Sequence, residues 1–348
     1  MVRVAINGFG RIGRTTFKTI IEGGFDKRLQ VVAVNDLTDV KVLAHLLKYD
    51  SVYGRFQGTI ATEEGGKITL EETQATPKKH LEGPKGTPDY LIVNGKKILV
   101  VSEKEPEKLP WGKLKIDIVL ECSGRFTNGR AAEAHLKAGA KAVIVSAPVK
   151  QDGSGWVPTI LKGVNESEYK SDKIISNASC TTNCVSPVTQ VMEAAFGIKK
   201  AALTTIHSVT AEQNLIDGVP PGLHPDLTRA RSALANIVPT TTGAAISTTE
   251  VITGLKNKFD GLAIRVPTIV GSLSDFTFLM KRKVTAEEIN QAFKKASRTT
   301  HKGIIEASEE PLVSTDIIKN PHSAIVDLSM TKVIDGDMVK VLAWYDNE

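Results

Sequence analysis

Cysteine is scarce in this sequence, which has three cysteines in 348 residues, two of them four positions apart. Three thiols do not make a disulfide framework, so a disulfide-stapled secreted protein is excluded and we expect a reducing, cytoplasmic compartment. Long apolar runs are also missing, since no stretch approaches the roughly 20 apolar residues of a membrane span. The first residues carry no secretory signal pattern, so we expect no signal peptide.

A strong net charge is missing too. The formal charge is only +5 and the basic residues are spread along the chain, which suits small anionic ligands and is weak evidence for nucleic acid. The composition, 41% hydrophobic and 24% charged, is that of an ordinary globular protein. A chain of 348 residues is long for one core, so we expect two domains.

The first 35 residues have the pattern of a βαβ unit. We predict a strand at Val2–Ile6, a glycine-rich turn at 8–13, a helix at Arg14–Glu22 and a second apolar strand at Leu29–Asn35. Two strands joined through a helix in this way lie parallel. The strand-helix alternation resumes in the segments Ile116–Glu121, Arg130–Ala138 and Ala142–Ser146.

The glycine-rich turn and the acid after the second strand predict a dinucleotide site. Gly8, Gly10 and Gly13 let the backbone approach a pyrophosphate at a helix N-terminus. Asp36 follows at close to the usual spacing of about 20 residues for a carboxylate that holds the adenosine ribose. A 2′-phosphate about 4 Å away would be repelled by roughly 1–4 kcal/mol. No arginine follows Asp36 directly, so we predict NAD rather than NADP.

The chain after residue 178 changes character. Long β-like runs replace the alternation, which predicts an α+β domain with a mostly antiparallel sheet over residues 179–348. Residues 1–178 are predicted to form a Rossmann-type doubly wound parallel sheet, with a surface hairpin and loop at Gln57–Asp89 and a tight turn at Asn94-Gly95. The predicted strands of the second domain are Lys199–Ile206, Gly261–Thr268, Ser272–Arg282 and Ala324–Ile334, and its clear helices are Ala286–Ser297 and Ser232–Asn236.

The segment 179–185, SCTTNCV, is the most informative motif. Ser179 is a good helix N-cap, so Cys180 lies at a helix N-terminus, where the dipole and unpaired N–H groups favour the thiolate. His207 lies at the far end of the next predicted strand. A cysteine and a histidine at neighbouring element ends are typical of covalent catalysis, whereas a lone cysteine is more often a small buried hydrophobe.

These motifs resemble the phosphorylating glyceraldehyde-3-phosphate dehydrogenase family, and the cysteine motif is highly specific to it. The resemblance covers nearly the whole chain. It implies that Cys180 attacks the aldehyde of a triose phosphate and that His207 takes a proton as hydride leaves for the nicotinamide. Inorganic phosphate then cleaves the resulting thioester. The matching segments are 7–14, 146–148, 179–184, 207–210, 241–243, 265–268 and 344–348.

The resemblance also implies two anion sites, a cofactor site and a homotetramer. The substrate phosphate would contact Thr210 and Arg265. The attacking phosphate would contact Ser179, Thr181, Thr242 and Gly243, with Arg231 between the two sites. Hydroxyls, glycine N–H groups and arginine suit phosphate oxygens. For NAD the implied residues are Arg11, Ile12, Asp36, Ser146 and Asn347, beside the three glycines of the turn.

The other cysteines and histidines have simpler interpretations. Cys184 lies one helical turn after Cys180 and is expected in the core, and Cys122 is expected to pack beside the cofactor pocket. The remaining histidines lack the spacing of metal ligands, so we predict no metal site. They are His45, His80, His135, His224, His301 and His322.

Four departures from the family pattern stand out. The segments 57–89 and 215–226 look longer than usual, and Glu212 replaces the common aspartate beside the substrate phosphate. The sequence ends at Glu348, where the family continues through a C-terminal helix that packs on the cofactor domain. We expect apolar surface to be exposed where that helix would pack.

Three alternatives stay open on the residues alone. An erythrose-4-phosphate dehydrogenase would have the same fold and the same cysteine and would use a sugar one carbon longer. A nucleotide-domain protein that binds nucleic acid would need a basic stripe and steep salt dependence. A redox sensor would use Cys180 but would leave His207 and the phosphate-type residues without a role.

Overall fold

The computed structural model describes residues 1–65, 67–70, 88–153, 155–219 and 226–348. It divides into two compact units. The first contains Met1–Pro158 and Lys170–Asn177, and the second contains Thr159–Tyr169 and Ala178–Glu348. The predicted boundary lay after residue 178, whereas the structure groups residues 159–169 with the second unit.

In its described residues, the first unit has a nine-stranded sheet and three α-helices. In chain order its elements are β1 (Val2–Asn7), α1 (Arg11–Glu22), β2 (Leu29–Asn35), α2 (Val40–Lys48), β3 (Ile60–Glu64), β4 (Lys67–Leu70), β5 (Asp89–Val93), β6 (Lys96–Val101), β7 (Ile118–Glu121), α3 (Gly129–Lys137), β8 (Ala142–Val145) and β9 (Ile174–Ser176).

The parallel part of this sheet has the Rossmann order. The strands run β4-β3-β5-β6-β2-β1-β7-β8-β9, and all pairs from β6 to β9 are parallel, while β3, β4, β5 and β6 pair antiparallel. Taken in chain order, the six parallel strands are arranged 3-2-1-4-5-6, which confirms the predicted doubly wound fold. The strand order reverses between β1 and β7, the point at which such sheets bind their ligands.

Apolar side chains cover both faces of the first sheet. One core contains Phe9, Phe17 and Leu43 among its fully buried residues. Another core contains Trp111 and Val119. Because both faces are covered, the central strands are apolar runs rather than alternating ones. This is why the parallel strands were visible in the sequence.

The second unit has a seven-stranded sheet. Its elements are α4 (Cys180–Phe196), β10 (Ile198–Ser208), β11 (Val238–Thr241), α5 (Ala244–Val251), β12 (Phe259–Val266), β13 (Ser272–Met280), α6 (Ala286–Arg298), β14 (Ile305–Ser308), β15 (Ala324–Ile334) and β16 (Met338–Tyr345). The order is β11-β12-β10-β13-β16-β15-β14. Among the strand pairs of the described residues, β10-β12 and β14-β15 are parallel and the other four are antiparallel, so the predicted mostly antiparallel sheet is confirmed. The core beside it contains Met192, Phe276 and Phe293.

One helix prediction needs correction. Ser232–Asn236 forms a turn rather than a helix, and a segment of barely one turn has too few backbone bonds to offset nucleation. Side-chain bonds hold this turn, since Ser232 Oγ donates to the Leu215 carbonyl at 2.5 Å and Asn236 Nδ2 donates to the Ser232 carbonyl at 2.9 Å. The helices α2 and α5 were not predicted. The predicted Asn94-Gly95 turn is confirmed, because both residues have positive φ, 48° and 76°, between β5 and β6.

Several predictions fall partly on residues outside the described ranges. The structure describes two strands, β3 and β4, within the predicted hairpin and loop at 57–89, but 66 and 71–87 lie outside the description. Of the loop at 215–226, only 215–219 and Asp226 are described. His80 and His224 also lie outside the described residues.

Candidate active site

A cavity of about 290 Å³ lies at the carboxyl ends of β1, β2 and β7 in the first unit. Asn7, Asn35 and Ser123 belong to its lining, together with Gly8 and Asp36. The strand order reverses at this edge, so the cavity occupies the position where doubly wound sheets bind nucleotides.

Three glycines shape the cavity for three different reasons. Gly8 has φ +88°, and a Cβ there would come within 2.6 Å of the Ser123 backbone. A Cβ on Gly13 would lie 2.1 Å from the Gly8 carbonyl oxygen, so this glycine lets α1 pack closely against the turn. A Cβ on Gly10 would meet nothing within 4 Å. Gly10 is the N-cap of α1 and supplies no side-chain cap, which leaves the helix N-terminus open to an anion.

The carboxylate of Asp36 is fixed at the wall of this cavity. Its Oδ2 accepts from the Phe9 N–H at 2.8 Å, and its Oδ1 accepts from the Thr38 N–H at 3.0 Å. The bond from Phe9 ties the end of β2 to the glycine-rich turn, and the bond from Thr38 fixes the carboxylate within its own loop. An open helix N-terminus, a fixed carboxylate and a cavity at the strand reversal fit a dinucleotide.

In the second unit, Cys180 and His207 are adjacent. Ser179 is the N-cap of α4, since its Oγ accepts from the Thr182 N–H at 3.1 Å, and Cys180 is therefore the first residue of the helix. His207 lies near the end of β10. Its Nε2 is 3.5 Å from Cys180 Sγ, which is a contact distance that permits proton transfer between the two groups.

The other side of the His207 ring is held by three groups. Nδ1 lies 2.6 Å from the Ser208 carbonyl oxygen and 2.8 Å from Arg265 Nη1. Arg265 is within reach because it is the direct partner of His207 in the parallel β10-β12 ladder. Tyr345 packs edge-on against the imidazole, with ring centroids 6.0 Å apart. When Nδ1 donates to the Ser208 carbonyl, Arg265 Nη1 donates to the same carbonyl at 3.0 Å and is a close charged neighbour of the ring rather than its hydrogen-bond donor. The Nε2 lone pair then faces the sulfur, which is the tautomer of a base.

Tyr345 connects the strand to the helix that carries the cysteine. Its phenol oxygen lies 2.9 Å from Thr181 Oγ1 on α4 and 2.8 Å from Thr205 Oγ1 on β10. The side chain is buried. The phenol thus fixes the first turn of α4 against the strand that carries His207.

Burial dominates the protonation of both groups. It lowers the pKa of His207 to about 4, and the positive charge of Arg265 acts in the same direction. Burial raises the pKa of Cys180 above its ordinary value, while the Thr181 hydroxyl and the Arg265 charge oppose that shift. The backbone N–H groups at the start of α4 lower the pKa of the Cys180 thiol, as expected, but desolvation is the larger effect, so the net shift in the protein without substrate is upward.

Two arginines and one glutamate lie beside His207. Glu212 Oε1 pairs with Arg229 Nη1 and lies 3.4 Å from Arg265 Nη2, and it also accepts from Thr210 Oγ1 at 3.2 Å. Arg229 is further held by Thr240 Oγ1 at 3.1 Å and by Asp226 at 4.0 Å. Arg265 has Glu212 as its one carboxylate among the described residues. Because Arg265 shares the Glu212 carboxylate with Arg229, its positive charge is only partly compensated, and its guanidinium can bind an anionic ligand.

Two family models match the chain. One, described as the NAD binding domain of glyceraldehyde 3-phosphate dehydrogenase, matches residues 2–85 and 78–129, and the other, described as its C-terminal domain, matches residues 179–347. The chain belongs to the glyceraldehyde 3-phosphate dehydrogenase family. It is similar over its full length to "Glyceraldehyde-3-phosphate dehydrogenase 2" of Streptomyces avermitilis and of Bacillus subtilis, each 45% identical, with 94% and 92% of those chains covered. It is 46% identical to the Geobacillus stearothermophilus glyceraldehyde-3-phosphate dehydrogenase, with 94% covered.

Family membership makes NAD the cofactor of the first unit, in which the cavity lies. Gly8, Gly10 and Asp36 line that cavity. Arg11 is directed elsewhere, because its Nη1 pairs with Asp50 at 3.0 Å. Ser146 Oγ donates to the Glu121 carbonyl at 3.0 Å.

Asn347, in the second unit, uses the oxygen of its side-chain amide but not the nitrogen in the hydrogen bonds of the described residues. Its Oδ1 accepts from Ser272 Oγ at 2.8 Å and from the Gly271 N–H at 3.2 Å. Among the hydrogen bonds of the described residues, none is made by its Nδ2. This amide nitrogen is the atom that can donate to a ligand.

The structure does not bring every predicted phosphate residue together. Arg265 and Thr210 meet through Glu212, as given above. The side chain of Arg231, by contrast, is 63% exposed and pairs with Asp217 at 2.6 Å. Thr242 Oγ1 accepts from the Ala244 N–H at 3.2 Å at the start of α5, and Gly243 is the N-cap of that helix.

Sequence reasoning missed the parts played by Arg229 and Tyr345. Arg229 stands two positions before the predicted Arg231, within the same motif, so the motif was found but the buried member was not singled out. Tyr345 lies in the C-terminal segment that carried the family resemblance. Neither residue has a sequence spacing from Cys180 or His207 that would predict its burial near the site.

The remaining cysteines do not face His207 in the described contacts. Cys184 is fully buried in the core of the second unit, and burial raises its pKa to about 12. Cys122 lines the cavity of the first unit, and burial raises its pKa to about 12 as well.

The described part of the chain has no metal-binding cluster and no membrane-spanning helix. No group of three or more histidine, cysteine or acidic side chains there has a geometry that could hold a metal ion. None of the helices in the described ranges combines the length and the hydropathy needed to cross a membrane.

Proposed function

We propose that this protein oxidises D-glyceraldehyde 3-phosphate with NAD and inorganic phosphate to 1,3-bisphosphoglycerate, through a thioester on Cys180. The observation that carries the proposal is the 3.5 Å contact between Cys180 Sγ and His207 Nε2, beside a buried arginine. The relatives that carry the name of this dehydrogenase support the choice of reaction.

The first step forms a carbon-sulfur bond. Cys180 sulfur adds to the aldehyde carbon as its proton passes to His207 Nε2 and on to the developing alkoxide, which gives a hemithioacetal. A neutral imidazole is the form that can accept this proton, and the low pKa of His207, about 4, keeps it neutral near pH 7. The substrate brings a phosphate, whose charge would be met by Arg265 and the Thr210 hydroxyl.

The second step removes hydride and a proton from the hemithioacetal. NAD, when bound, accepts the hydride, and His207 Nε2 takes the hydroxyl proton, so the carbon becomes the acyl carbon of a thioester. An oxygen of inorganic phosphate then attacks this carbon, and the thiolate leaves. The acyl phosphate is released and Cys180 is regenerated. One NADH and one proton are formed per turnover.

The attacking phosphate needs its own binding groups. We assign it to Ser179, Thr181, Thr242 and Gly243, with Arg231 between the two anions. Hydroxyls and helix N-terminal N–H groups support this assignment, since Ser179 and Gly243 are the N-caps of α4 and α5. Arg231 would have to exchange its Asp217 partner for phosphate.

The cofactor residues proposed in the first unit follow from the cavity. Gly8, Gly10 and Gly13 allow the pyrophosphate to approach α1, and Asp36 accepts from the adenosine ribose hydroxyls. We further assign Arg11, Ile12 and Ser146 to this cofactor, and Asn347 of the second unit to the nicotinamide amide.

We also propose that the protein is a cytoplasmic homotetramer. Five large apolar side chains among the described residues between 215 and 237 of the second unit are 69–78% exposed, and exposed apolar surface of this kind is typical of a subunit interface. They are Leu215, Ile216, Val219, Leu227 and Ile237. The three cysteines are free in the structure, as in a reducing compartment.

The decisive experiment follows NADH formation from D-glyceraldehyde 3-phosphate for the wild type, Cys180→Ala and Cys184→Ala. We expect Cys180→Ala to lose activity by a factor on the order of a thousand or more, because the thioester route disappears. Cys184→Ala is the matched control on the same helix and should keep most of the activity.

Two further measurements, one without phosphate and one with erythrose 4-phosphate, test the thioester step and the choice of substrate. Without phosphate, the wild type should form about one NADH per active site and then stall, because the thioester accumulates. Full turnover by Cys180→Ala, or sustained turnover without phosphate, would overturn the proposal. A higher kcat/KM with erythrose 4-phosphate would overturn the substrate assignment alone.

A further inference from the structure

A buried polar network lies directly beneath the cavity of the first unit, and the proposed reaction does not use it. Its centre is Glu121, the last residue of β7, which is 1% exposed. Oε1 accepts from the Ser123 N–H at 2.8 Å and from Ser123 Oγ. Oε2 accepts from Asn7 Nδ2 at 2.5 Å and lies 2.9 Å from His135 Nε2. The carboxylate therefore receives four hydrogen bonds in an apolar interior.

The histidine of this network is held in one tautomer. His135 lies on α3 and is completely buried. Its Nδ1 is 3.1 Å from Trp111 Nε1, and an indole nitrogen can only donate. Nδ1 must therefore be the acceptor, so Nε2 carries the hydrogen and donates it to Glu121. A chain of two donations thus runs from Trp111 through His135 to the carboxylate.

The network also fixes the strand ends that form the cavity. Asn7 donates to Glu121 and accepts from Asn35 Nδ2 at 2.7 Å through its Oδ1. Asn35 in turn exchanges two hydrogen bonds of 2.9 Å with the backbone of Glu103. Asn7, Asn35 and Glu103 all line the cavity. One buried carboxylate therefore sets the position of β1, β2 and the loop after β6 relative to β7.

The contact that matters most is at Gly8. The Gly8 backbone rests against the Ser123 backbone, where a Cβ would come within 2.6 Å. Glu121 binds Ser123 on one side of this contact and Asn7 on the other. The Glu121 carboxylate therefore holds Asn7, directly before Gly8, and Ser123, against which Gly8 packs, in fixed positions.

We propose that Glu121 is a positioning residue for the dinucleotide, acting through Asn7 and Ser123 and oriented by His135 and Trp111. The inference rests on the proposed cofactor role of the cavity. A core built only for stability would be served as well by apolar side chains, because a buried charge gains little over a well-packed hydrophobe. The carboxylate, unlike an apolar side chain, accepts hydrogen bonds of defined direction. Four donors bond to it, and these bonds fix the position of the cavity wall.

The test is a calorimetric titration of NAD into the folded wild type, Glu121→Gln and Glu133→Gln. Glutamine keeps the shape but turns one acceptor oxygen into an NH₂ group that faces donors. We expect Glu121→Gln to raise the Kd for NAD about tenfold or more. Glu133→Gln is the matched control, because Glu133 lies on α3 with a side chain that is 53% exposed, and its Kd should stay at the wild-type value.

Steady-state kinetics separate positioning from a merely structural role. For Glu121→Gln we expect a higher KM for NAD, an unchanged kcat at saturating NAD and an unchanged KM for the aldehyde. A folded Glu121→Gln that binds NAD with the wild-type Kd would overturn the proposal. So would a reduced number of binding sites with an unchanged Kd, since that is the signature of lost folding alone.

A second variant covers the case in which Glu121→Gln does not fold. Trp111→Phe removes the indole donor at a residue that is not part of the cavity lining, and it should raise the Kd for NAD in the same direction but by a smaller factor. An unchanged Kd in folded Trp111→Phe would then overturn the proposal. A wild type that does not bind NAD overturns both proposals, whereas one that binds NAD but forms no NADH overturns only the reaction.

Discussion

At the scale of single residues, the chemistry of His207 depends on what surrounds it. Its imidazole is 5% exposed and shares its Nδ1 side with Arg265. Both the loss of water and the neighbouring positive charge disfavour the protonated ring. The same surroundings that make His207 a neutral base therefore make the folded protein sensitive to acid.

This gives a prediction for stability against pH. The folded pKa of His207 is about 4 and the unfolded value is near 6.5, so the unfolded chain binds this proton first. The contribution is fully present above about pH 6.5 and is lost as the pH falls towards 4, by an amount on the order of 3 kcal/mol. The measurement is the free energy of unfolding in urea across this range.

The variant His207→Gln should flatten this part of the pH dependence. Exposed His45→Gln serves as the control and should keep the wild-type slope. An unaltered slope in His207→Gln would show that the acid sensitivity comes from other groups. His301 acts in the same pH range, because burial lowers its pKa in the fold. Asp226 acts below about pH 4, since its pKa falls from 3.8 to about 2. The difference between variants therefore matters more than the absolute curve.

At the scale of elements, helix starts carry the candidate sites. α1 begins at the glycine-rich turn, and α4 begins at Cys180. The two starts differ in how they are capped. Ser179 caps α4 with its side chain, while Gly10 leaves the start of α1 uncapped. This difference fits the proposed roles, in which the start of α4 orients the Cys180 thiol and the start of α1 receives the cofactor pyrophosphate.

The packing of α1 gives a prediction with an internal control. In Gly13→Ala the new Cβ would lie 2.1 Å from the Gly8 carbonyl oxygen, so the helix must move away from the turn. We expect a loss of about 1–3 kcal/mol in the free energy of unfolding. In Gly10→Ala the Cβ meets nothing within 4 Å, so the loss should stay below about 1 kcal/mol.

Urea unfolding followed by circular dichroism gives both values. Equal losses in the two variants would contradict the close packing of α1 on the turn. Loss of NAD affinity in Gly10→Ala without loss of stability would support the proposal that the pyrophosphate lies at this helix start.

At the scale of the whole molecule, the two units have separate hydrophobic cores. The cores on the two faces of the first sheet belong to one unit, and the core around α4 and α6 belongs to the other. The cofactor cavity lies wholly within the first unit. A ligand that binds the folded state stabilises it by mass action, by about 2.7 kcal/mol at a hundred times its Kd.

We therefore predict that NAD raises the Tm and that the rise grows with the logarithm of its concentration. NADP at the same concentration should raise the Tm less, because its 2′-phosphate would lie near the Asp36 carboxylate. Differential scanning calorimetry measures both shifts. The variant Asp36→Asn should narrow the gap between the two cofactors. A larger Tm shift with NADP than with NAD in the wild type would refute the predicted cofactor preference.

The sequence by itself determined whatever depends on neighbours along the chain. The strand-turn-helix-strand pattern of the first 35 residues, the Ser179 cap and the Asn94-Gly95 turn follow from local backbone preferences, and the structure has all of them. The family also followed from short motifs. The short helix at Ser232–Asn236 failed because one turn lies below the length at which local pattern decides structure.

Only the tertiary structure decided which distant groups meet. Cys180 and His207 are 27 positions apart, and Tyr345 reaches Thr181 across 164 positions. No periodicity specifies such pairs, because they result from the order in which strands assemble into a sheet. Burial is decided at the same level, and it raises the pKa of Cys180 against the opposing effect of the helix start. It also turns Glu121, an ordinary strand end in the sequence, into the centre of a closed polar network.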